Sequence, residues 1–263
     1  MDLWVWRYTL TPRRRLSAVA RPGAREGALI RLADGFADVH PWPELGDATL
    51  EEQLAHIETS PALHHARVDG EARARGVSLF EGLTIPESHW PGDDPPEGFD
   101  TVKLKGIESI PPGVRLRIDF NATLTPEEFV RIAETLPKER VDFVEDPCPD
   151  LSNLRTGLRI ARDRAHGTAD VLIHKPALSP TFPAFDGEVV VTSYMDHPVG
   201  QFHAAYVAAT NHVSPRCGLF THVLFENNEF IEAIRADGAR LLPPEGTGIG
   251  FDDLLERLPW QRL

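Results

Sequence analysis

Cysteine is scarce in this sequence, which has only Cys148 and Cys217 among its 263 residues. These two form neither a disulfide framework nor the spacing of a metal site, so idle thiols in a reducing compartment are the simplest interpretation. Long apolar runs are also missing. The first residues carry an acid at position 2 and no apolar core, which does not fit a signal peptide, and no run approaches the roughly 20 residues of a membrane span. We therefore expect a cytoplasmic protein without a membrane partner.

Basic residues are in deficit as well. The chain has 27 Lys and Arg against 40 Asp and Glu, which gives a net charge of −13 at neutral pH. Nucleic acids and anionic membranes attract basic surfaces, so this balance argues against either as the main partner. Hydrophobic residues make up 41% of the chain, as in ordinary soluble globular proteins. The length allows one large domain or two modest ones.

The N-terminal third predicts a small α+β module. Alternating bulky and polar residues predict three strands between residues 3 and 39. Two helices are predicted to follow, because Thr49 opens a capping box and Ser60 stands before a proline. Residues 82–100 are rich in proline and glycine, so we expect a domain boundary there.

From Thr101 onwards, short apolar runs recur, and several of them end in polar or ionisable residues. One helix is predicted between them, from the capping box at Thr125. Strand and helix in alternation favour a parallel sheet, but connections such as 106–113 are too short for a crossover helix. We expect a barrel with some outer helices reduced to loops and charged strand ends at one rim. The predicted strands are 101–106, 114–120, 141–146, 156–162, 170–175 and 188–194, with a further one at 218–225.

Three lysines lie at these strand ends. Lys103 and Lys105 alternate with apolar residues, so both point to one face of a strand. Mutual repulsion and burial would each lower the pKa of a lysine in such a pair and fit it for general-base work. Lys175 closes another apolar run and would place a cation across the barrel mouth. A solvated strand face is the structural alternative for the pair.

Three acids occupy similar positions: Asp119, Glu145 and Asp163. Carboxylates that converge from three strand ends repel one another, and a hard cation such as Mg²⁺ would resolve that repulsion. Ordinary loop or helix-cap acids are the alternative. Asp170 is a rival for the third position, although it begins a strand and does not end one.

The order of these residues resembles that of the enolase superfamily, in its muconate-lactonizing branch. It comprises Lys-x-Lys at 103–105, Asp-x-Asn at 119–121, Glu-Asp-Pro at 145–147, Asp163 and Lys-Pro at 175–176. No single motif is specific, but the ordered set is, and the resemblance covers most of the chain. Further stretches, at 35–44, 143–149, 192–194, 217–220 and 246–250, are similar to the o-succinylbenzoate synthase family.

The resemblance implies a modified TIM-type (β/α)7β barrel with shortened or missing helices and an α+β capping domain. The cap would comprise residues 1–95, joined by the C-terminal segment from about 240 to 263, and the barrel residues 96–240. The partner would be a small-molecule carboxylate substrate. The oligomeric state stays open, with a monomer as one option.

The resemblance also implies a role for each site residue. Asp119, Glu145 and Asp163 would hold Mg²⁺, with Mn²⁺ as an alternative ion. Lys105 would remove the proton alpha to the substrate carboxylate and then protonate the departing hydroxyl. Lys103 would contact the carboxylate, and Lys175 would stabilise the enolate from the opposite face. The substrate-binding residues would be Asn121, Thr192, Ser193, Tyr194 and Arg15, although a solvated basic loop is the alternative for the last of these.

The activity implied is that of a lyase, o-succinylbenzoate synthase. It is the Mg-dependent dehydration of 2-succinyl-6-hydroxy-2,4-cyclohexadiene-1-carboxylate to 2-succinylbenzoate in menaquinone biosynthesis, through a metal-stabilised enediolate. A cycloisomerase, or a racemase or epimerase of N-acylamino acids or dipeptides, is the alternative within the superfamily. A non-catalytic scaffold on the same fold is the alternative of another class, and the presence of all three lysines and all three acids argues against it.

Overall fold

The computed structural model describes residues 2–16 and 19–263. Ser17 and Ala18, close to the predicted substrate-binding residue Arg15, lie outside the described residues. None of the helices in the described part of the chain combines the length and the apolar character that crossing a membrane requires.

An antiparallel sheet packed against helices forms the cap. The predicted helix starts are confirmed, because the Thr49 side chain accepts the Glu52 N–H in a full capping box and Ser60 accepts the Ala62 N–H. The elements of the cap are β1 Leu3–Leu10, β2 Arg25–Leu32, β3 Gly35–Val39 and β12 Gln261–Arg262, with the helices α1 Leu50–Ala55 and α2 Pro61–Ala74. The sheet has the order β12-β1-β2-β3.

Close contact between β3 and α2 depends on one glycine. A Cβ placed on Gly35 would lie 1.8 Å from the backbone oxygen of Ala66 and 2.6 Å from the nitrogen of Gly70. Such distances are impossible, so only glycine lets the strand lie directly against the helix.

Six parallel strands follow, hydrogen-bonded to one another in chain order. Within residues 101–191, all of which the structure describes, there is only one helix, so the expected loss of outer helices is confirmed. The strands are β4 Thr101–Leu104, β5 Arg115–Asp119, β6 Val141–Glu145, β7 Ile160–Arg162, β8 Val171–His174 and β9 Glu188–Val191, and α3 spans Pro126–Thr135.

Two short segments close the six-stranded sheet into a ring. Thr192 pairs with Gly218, Ser88 with Cys217 and Trp90 with Val102, each as a single parallel bridge. The ring order is therefore β4 to β9, then the segment around Cys217 and Gly218, then residues 88–90, then β4 again. Eight elements close a barrel, as in TIM-type folds. The boundary predicted at residue 95 stays a prediction, and Ser88 and Trp90 on its N-terminal side already pair with the barrel.

The C-terminal part returns to the cap. The prediction of a strand at 218–225 is wrong. Beyond the single bridge at Gly218, the chain forms a 3-10 turn at Thr221–Leu224. Asp69 on α2 accepts the backbone N–H of Ile249, and Arg73 donates to Asp252 at 2.6 Å. The remaining elements are α4 Pro198–Thr210, α5 Glu229–Glu232, β10 Ala236–Asp237, β11 Arg240–Leu241 and α6 Asp252–Glu256.

A buried polar cluster joins the cap to the barrel. Asp38 on β3 accepts the Tyr8 hydroxyl at 2.6 Å and the backbone N–H of His197 at 3.0 Å. Asp196, which follows β9, lies beside it, since the Oδ2 atoms of both acids approach the same point next to Gly200 within 2.8 Å. Burial raises the pKa of Asp38 well above its usual value and that of Asp196 to about 7. The interface therefore holds two carboxyl groups that resist ionising together.

Candidate active site

The barrel rim opens into a cavity of about 500 Å³. It lies at the carboxyl ends of the strands, where parallel α/β folds place their sites. The structure brings all six predicted lysines and acids to this cavity: Lys103, Lys105, Asp119, Glu145, Asp163 and Lys175.

Lys103 is held between two carboxylates. Its Nζ lies 2.7 Å from both oxygens of Glu145 and 3.0 Å from Oδ2 of Asp119. Burial lowers the pKa of Lys103, but Asp119 and Glu145 outweigh that effect and raise the pKa above its usual value. The expectation of a lowered pKa for this lysine is therefore wrong, and Lys103 is a fixed cation. Burial and the neighbouring Asp119 raise the pKa of Glu145 to about 7.

Lys105 is the lysine with the freest access to the cavity. Its side chain is 34% exposed, against 15% for Lys103 and 13% for Lys175. Its Nζ contacts Oδ2 of Asp119 at 2.5 Å. Although burial raises the pKa of Asp119, Lys103 and Lys105 together hold that pKa below its usual range.

Asp163 and Lys175 form a pair on the other side of the rim, where Lys175 Nζ donates to Asp163 Oδ2. Lys175 also lies 5.4 Å from the centre of the Tyr194 ring. The rival Asp170 accepts the backbone N–H of Ile160 at 2.8 Å, at the start of β7. It therefore lies at the opposite end of that strand from Asp163.

Sequence reasoning gave no role to Asp146, which supports Asp163. Asp146 is buried, and its backbone has a φ of 40°, in the left-handed region. Its Oδ1 accepts the N–H of Asp163 at 2.9 Å and its Oδ2 that of Arg164 at 2.7 Å. These two hydrogen bonds hold the start of the loop that carries Asp163. The signal in the sequence was the adjacent acid in Glu-Asp-Pro.

The predicted substrate-binding residues divide into two groups. Asn121, Thr192, Ser193 and Arg15 line the cavity. Tyr194 is buried outside this lining, and its hydroxyl donates to Asp47 at 2.8 Å while its carbonyl accepts the indole N–H of Trp42. Its contacts join the barrel to the cap.

His89 and Arg117 were not singled out in the sequence, because neither lies in a recognisable motif. His89 lines the cavity from the short segment that closes the ring. Arg117 lies inside the barrel, 2% exposed, with its guanidinium 4.6 Å from the centre of the Phe143 ring. Its Nη1 lies 3.0 Å from Nδ1 of His89.

The chemistry of the donor set suits a hard cation. Asp119, Glu145 and Asp163 are carboxylates at or just beyond the ends of three neighbouring strands, and each is in contact with a lysine ammonium. Within residues 2–16 and 19–263, no three acid, histidine or cysteine side chains stand close enough to form a coordination group. Carboxylate oxygens are nevertheless the ligands that Mg²⁺ takes, so the residues fit such an ion.

Comparison with known sequences gives two matches. A family model for the N-terminal domain of O-succinylbenzoate synthase matches residues 3–72. The chain is 32% identical to the o-succinylbenzoate synthase of Bdellovibrio bacteriovorus over 319 aligned positions, which cover 97% of each protein. Because the alignment is longer than this chain, the relative carries segments that this chain lacks.

Solved structures share the fold. The L-Ala-D/L-Glu epimerase of Bacillus subtilis has a TM-score of 0.75 and 16% identity, and it covers 95% of this chain and 98% of its own. The dipeptide epimerase of Cytophaga hutchinsonii, complexed with Mg and a dipeptide, has a TM-score of 0.77 and 15% identity over 100% and 99% of the two chains. The N-succinyl Arg/Lys racemase of Bacillus cereus reaches 0.74 at 12% identity over the full length of both. The predicted fold, a modified TIM-type barrel with a capping domain, is confirmed.

Proposed function

We propose a role for each side chain at the rim on the premise that the chain belongs to the o-succinylbenzoate synthase family, to which its identity over nearly the full length assigns it. The protein is an enzyme of the lyase class. Its activity is the loss of water from 2-succinyl-6-hydroxy-2,4-cyclohexadiene-1-carboxylate, which leaves the aromatic 2-succinylbenzoate.

One observation carries the assignment of roles: two lysines face each other across the cavity. Lys105 follows β4 and Lys175 follows β8. These strands are four places apart in a ring of eight elements, so the two side chains reach the cavity from opposite sides. A six-membered ring bound between them would present one face to each lysine.

Lys105 is the general base in this proposal. Its greater exposure lets Nζ reach the hydrogen on ring carbon 1, and its neutral form takes that proton. The protonated Lys105 then gives the proton to the hydroxyl leaving carbon 6. The carbon–oxygen bond breaks, water departs, and the electron pair from carbon 1 completes the aromatic ring.

Lys103 and Lys175 stabilise the charge that develops. Removal of a proton beside a carboxylate gives a dianionic enediolate, so fixed cations on both sides lower the barrier. Lys103 is suited to this because Asp119 and Glu145 keep it protonated. Asn121, Thr192, Ser193 and Arg15 contact the substrate, and Tyr194 acts through the cap interface.

Asp119, Glu145 and Asp163 would hold Mg²⁺, with Mn²⁺ as a substitute. Bound there, the cation would supply Lewis-acid stabilisation of the carboxylate oxygens. Neighbours of the same fold are complexed with Mg, namely the dipeptide epimerases of Enterococcus faecalis and Methylococcus capsulatus.

The test compares two reactions on one preparation. The purified protein with Mg²⁺ is given the cyclohexadiene substrate, with aromatisation followed by absorbance, and separately N-succinylamino acids and dipeptides, with racemisation followed by deuterium incorporation. We expect faster dehydration. Faster racemisation would overturn the assignment. If Lys105→Ala kept both reactions, the mechanism would be overturned.

A further inference from the structure

The cavity wall formed by the 88–90 segment presents an unassigned hydrogen-bond donor, the imidazole of His89. The residue is 4% exposed and lines the cavity. In the ring of strands it lies between β4, which carries Lys103, and the segment of Gly218. His89 is therefore next to the strand of the proposed catalytic lysines. It lies on the part of the barrel wall that runs from β4 through the Gly218 segment to Thr192.

The contact with Arg117 fixes the tautomer of this imidazole. A guanidinium has five N–H donors and no acceptor, so Nδ1 of His89, 3.0 Å from Arg117 Nη1, accepts. A neutral ring that accepts at Nδ1 carries its hydrogen on Nε2. Burial, Arg117 and Lys103 hold the pKa of His89 well below its usual value, which favours the neutral ring.

Nε2 is the ring nitrogen that remains for a ligand in the cavity, because Nδ1 is bonded to Arg117. The two nitrogens flank Cε1, and Cε1 lies beside Gly218, where an added Cβ would come within 3.0 Å of it. Among the described residues, Arg117 is the only hydrogen-bond partner of the imidazole.

Gly218 lets His89 and Thr192 pack on the same wall. A Cβ on Gly218 would also come within 2.7 Å of Thr192 Cγ2, so only glycine leaves room for both side chains. The Thr192 hydroxyl is buried and has no hydrogen-bond partner in the part of the chain that the structure describes. Thr192 therefore presents its methyl group on this side, and the donor beside it is Nε2–H of His89.

We propose that His89 Nε2–H binds the ketone oxygen of the succinyl side chain of the substrate. This rests on the proposed function, in which Lys103 takes the ring carboxylate and Arg15 suits the second carboxylate. The ketone is then the remaining strong acceptor. A neutral donor fits it, since a ketone needs a hydrogen bond and no counter-charge.

The chemistry of the substrate predicts the kinetic signature. The negative charge formed at ring carbon 1 spreads to carbons 3 and 5 and to the carboxylate, but not to the ketone on carbon 2. The bond from His89 is therefore as strong in the ground state as in the transition state, and it lowers KM without raising kcat. His89 is a specificity-determining residue.

A ligand pair tests this without turnover. Binding of 2-succinylbenzoate is compared with that of 2-(3-carboxypropyl)benzoate, in which a methylene replaces the ketone, by calorimetry with Mg²⁺ present. The natural protein should prefer the ketone by about tenfold. His89→Asn, whose amide oxygen still accepts from Arg117 but whose side chain is too short to reach the ligand, should bind both alike and show a raised KM with kcat within about twofold. The exposed His56→Asn is the matched control.

The outcomes separate the two levels of inference. Equal binding of the two ligands by the natural protein overturns the His89 subsite and leaves the activity intact. No binding of 2-succinylbenzoate and no dehydration overturn the proposed function. Should His89→Asn fail to fold, the nitrogen chemical shifts of His89 in the natural protein test the subsite. A proton on Nδ1, or an Nε2 resonance that does not shift when 2-succinylbenzoate is added, overturns it.

Discussion

The carboxylate of Asp146 accepts the backbone N–H of Asp163 at 2.9 Å and so fixes the loop that presents Asp163 to the cavity. The connection from β7 to β8 contains no helix, so this loop has little other regular structure to hold it. A single buried side chain thus replaces part of the support that a full barrel repeat would give.

Asp146→Asn should weaken Mg²⁺ binding about 10–100-fold, as the loss of a supporting hydrogen bond behind a metal ligand does. Asparagine tolerates the positive φ but has only one acceptor oxygen for the two N–H groups. Isothermal titration with Mg²⁺ measures the change. Asp150→Asn, at an exposed turn where the acid accepts from Ser152, is the control, and equal affinity in both variants would refute the role.

Lys105→Ala should lower kcat by about 10²–10⁴-fold, the range of a positioned general base. Binding of 2-succinylbenzoate should change far less, because Lys103 and Lys175 remain. Absorbance assays and calorimetry measure the two quantities. The exposed Lys138→Ala, which removes a lysine bonded to the Thr156 carbonyl, should behave as the natural protein does.

Removal of divalent cations should abolish dehydration while the fold persists. The three acids each contact a lysine, so the site keeps charge balance without the ion. Treatment with EDTA, followed by gel filtration and circular dichroism, should give an inactive folded protein that Mg²⁺ reactivates. Full activity after exhaustive chelation would contradict the metal assignment.

Asp196→Asn should stabilise the protein at alkaline pH. The folded pKa of Asp196 is raised from 3.8 to about 7 by burial, so between these values the folded state keeps a proton that the unfolded chain has lost. Stability from this group is present at low pH and is lost as pH rises towards 7. The variant cannot ionise, and its Tm should exceed that of the natural protein by a few °C at pH 8, with a smaller gain at pH 5, where less of the stability has been lost.

Thermal unfolding at both pH values measures this effect, with the exposed Asp186→Asn as the control. Asp38 shares the cluster and contributes in the same direction, since its pKa is raised as well. An identical pH dependence in Asp196→Asn and the natural protein would show that the cap interface does not bind this proton.

Much of the local structure was predictable. The capping boxes at Thr49 and Thr125 start helices as expected, because a cap satisfies free N–H groups within four residues of itself. The charged residues at the strand ends could also be predicted from the sequence, because alternation along a strand decides which side chains share a face. The predicted strand at 218–225 failed because an apolar run alone does not decide between a strand and a 3-10 turn.

The sequence by itself determined the residue types, their order and the strand ends that carry them, since these depend on neighbours along the chain. Only the tertiary structure decided that residues 88–90 and Gly218 close the ring, that Asp146 holds Asp163 and that Arg117 sets the tautomer of His89. The contacts that close the ring and set the tautomer join residues from 12 to 129 positions apart. The bond from Asp146 depends on pairing between neighbouring strands. No local pattern encodes such contacts, because burial and pairing at these points arise only when the barrel closes.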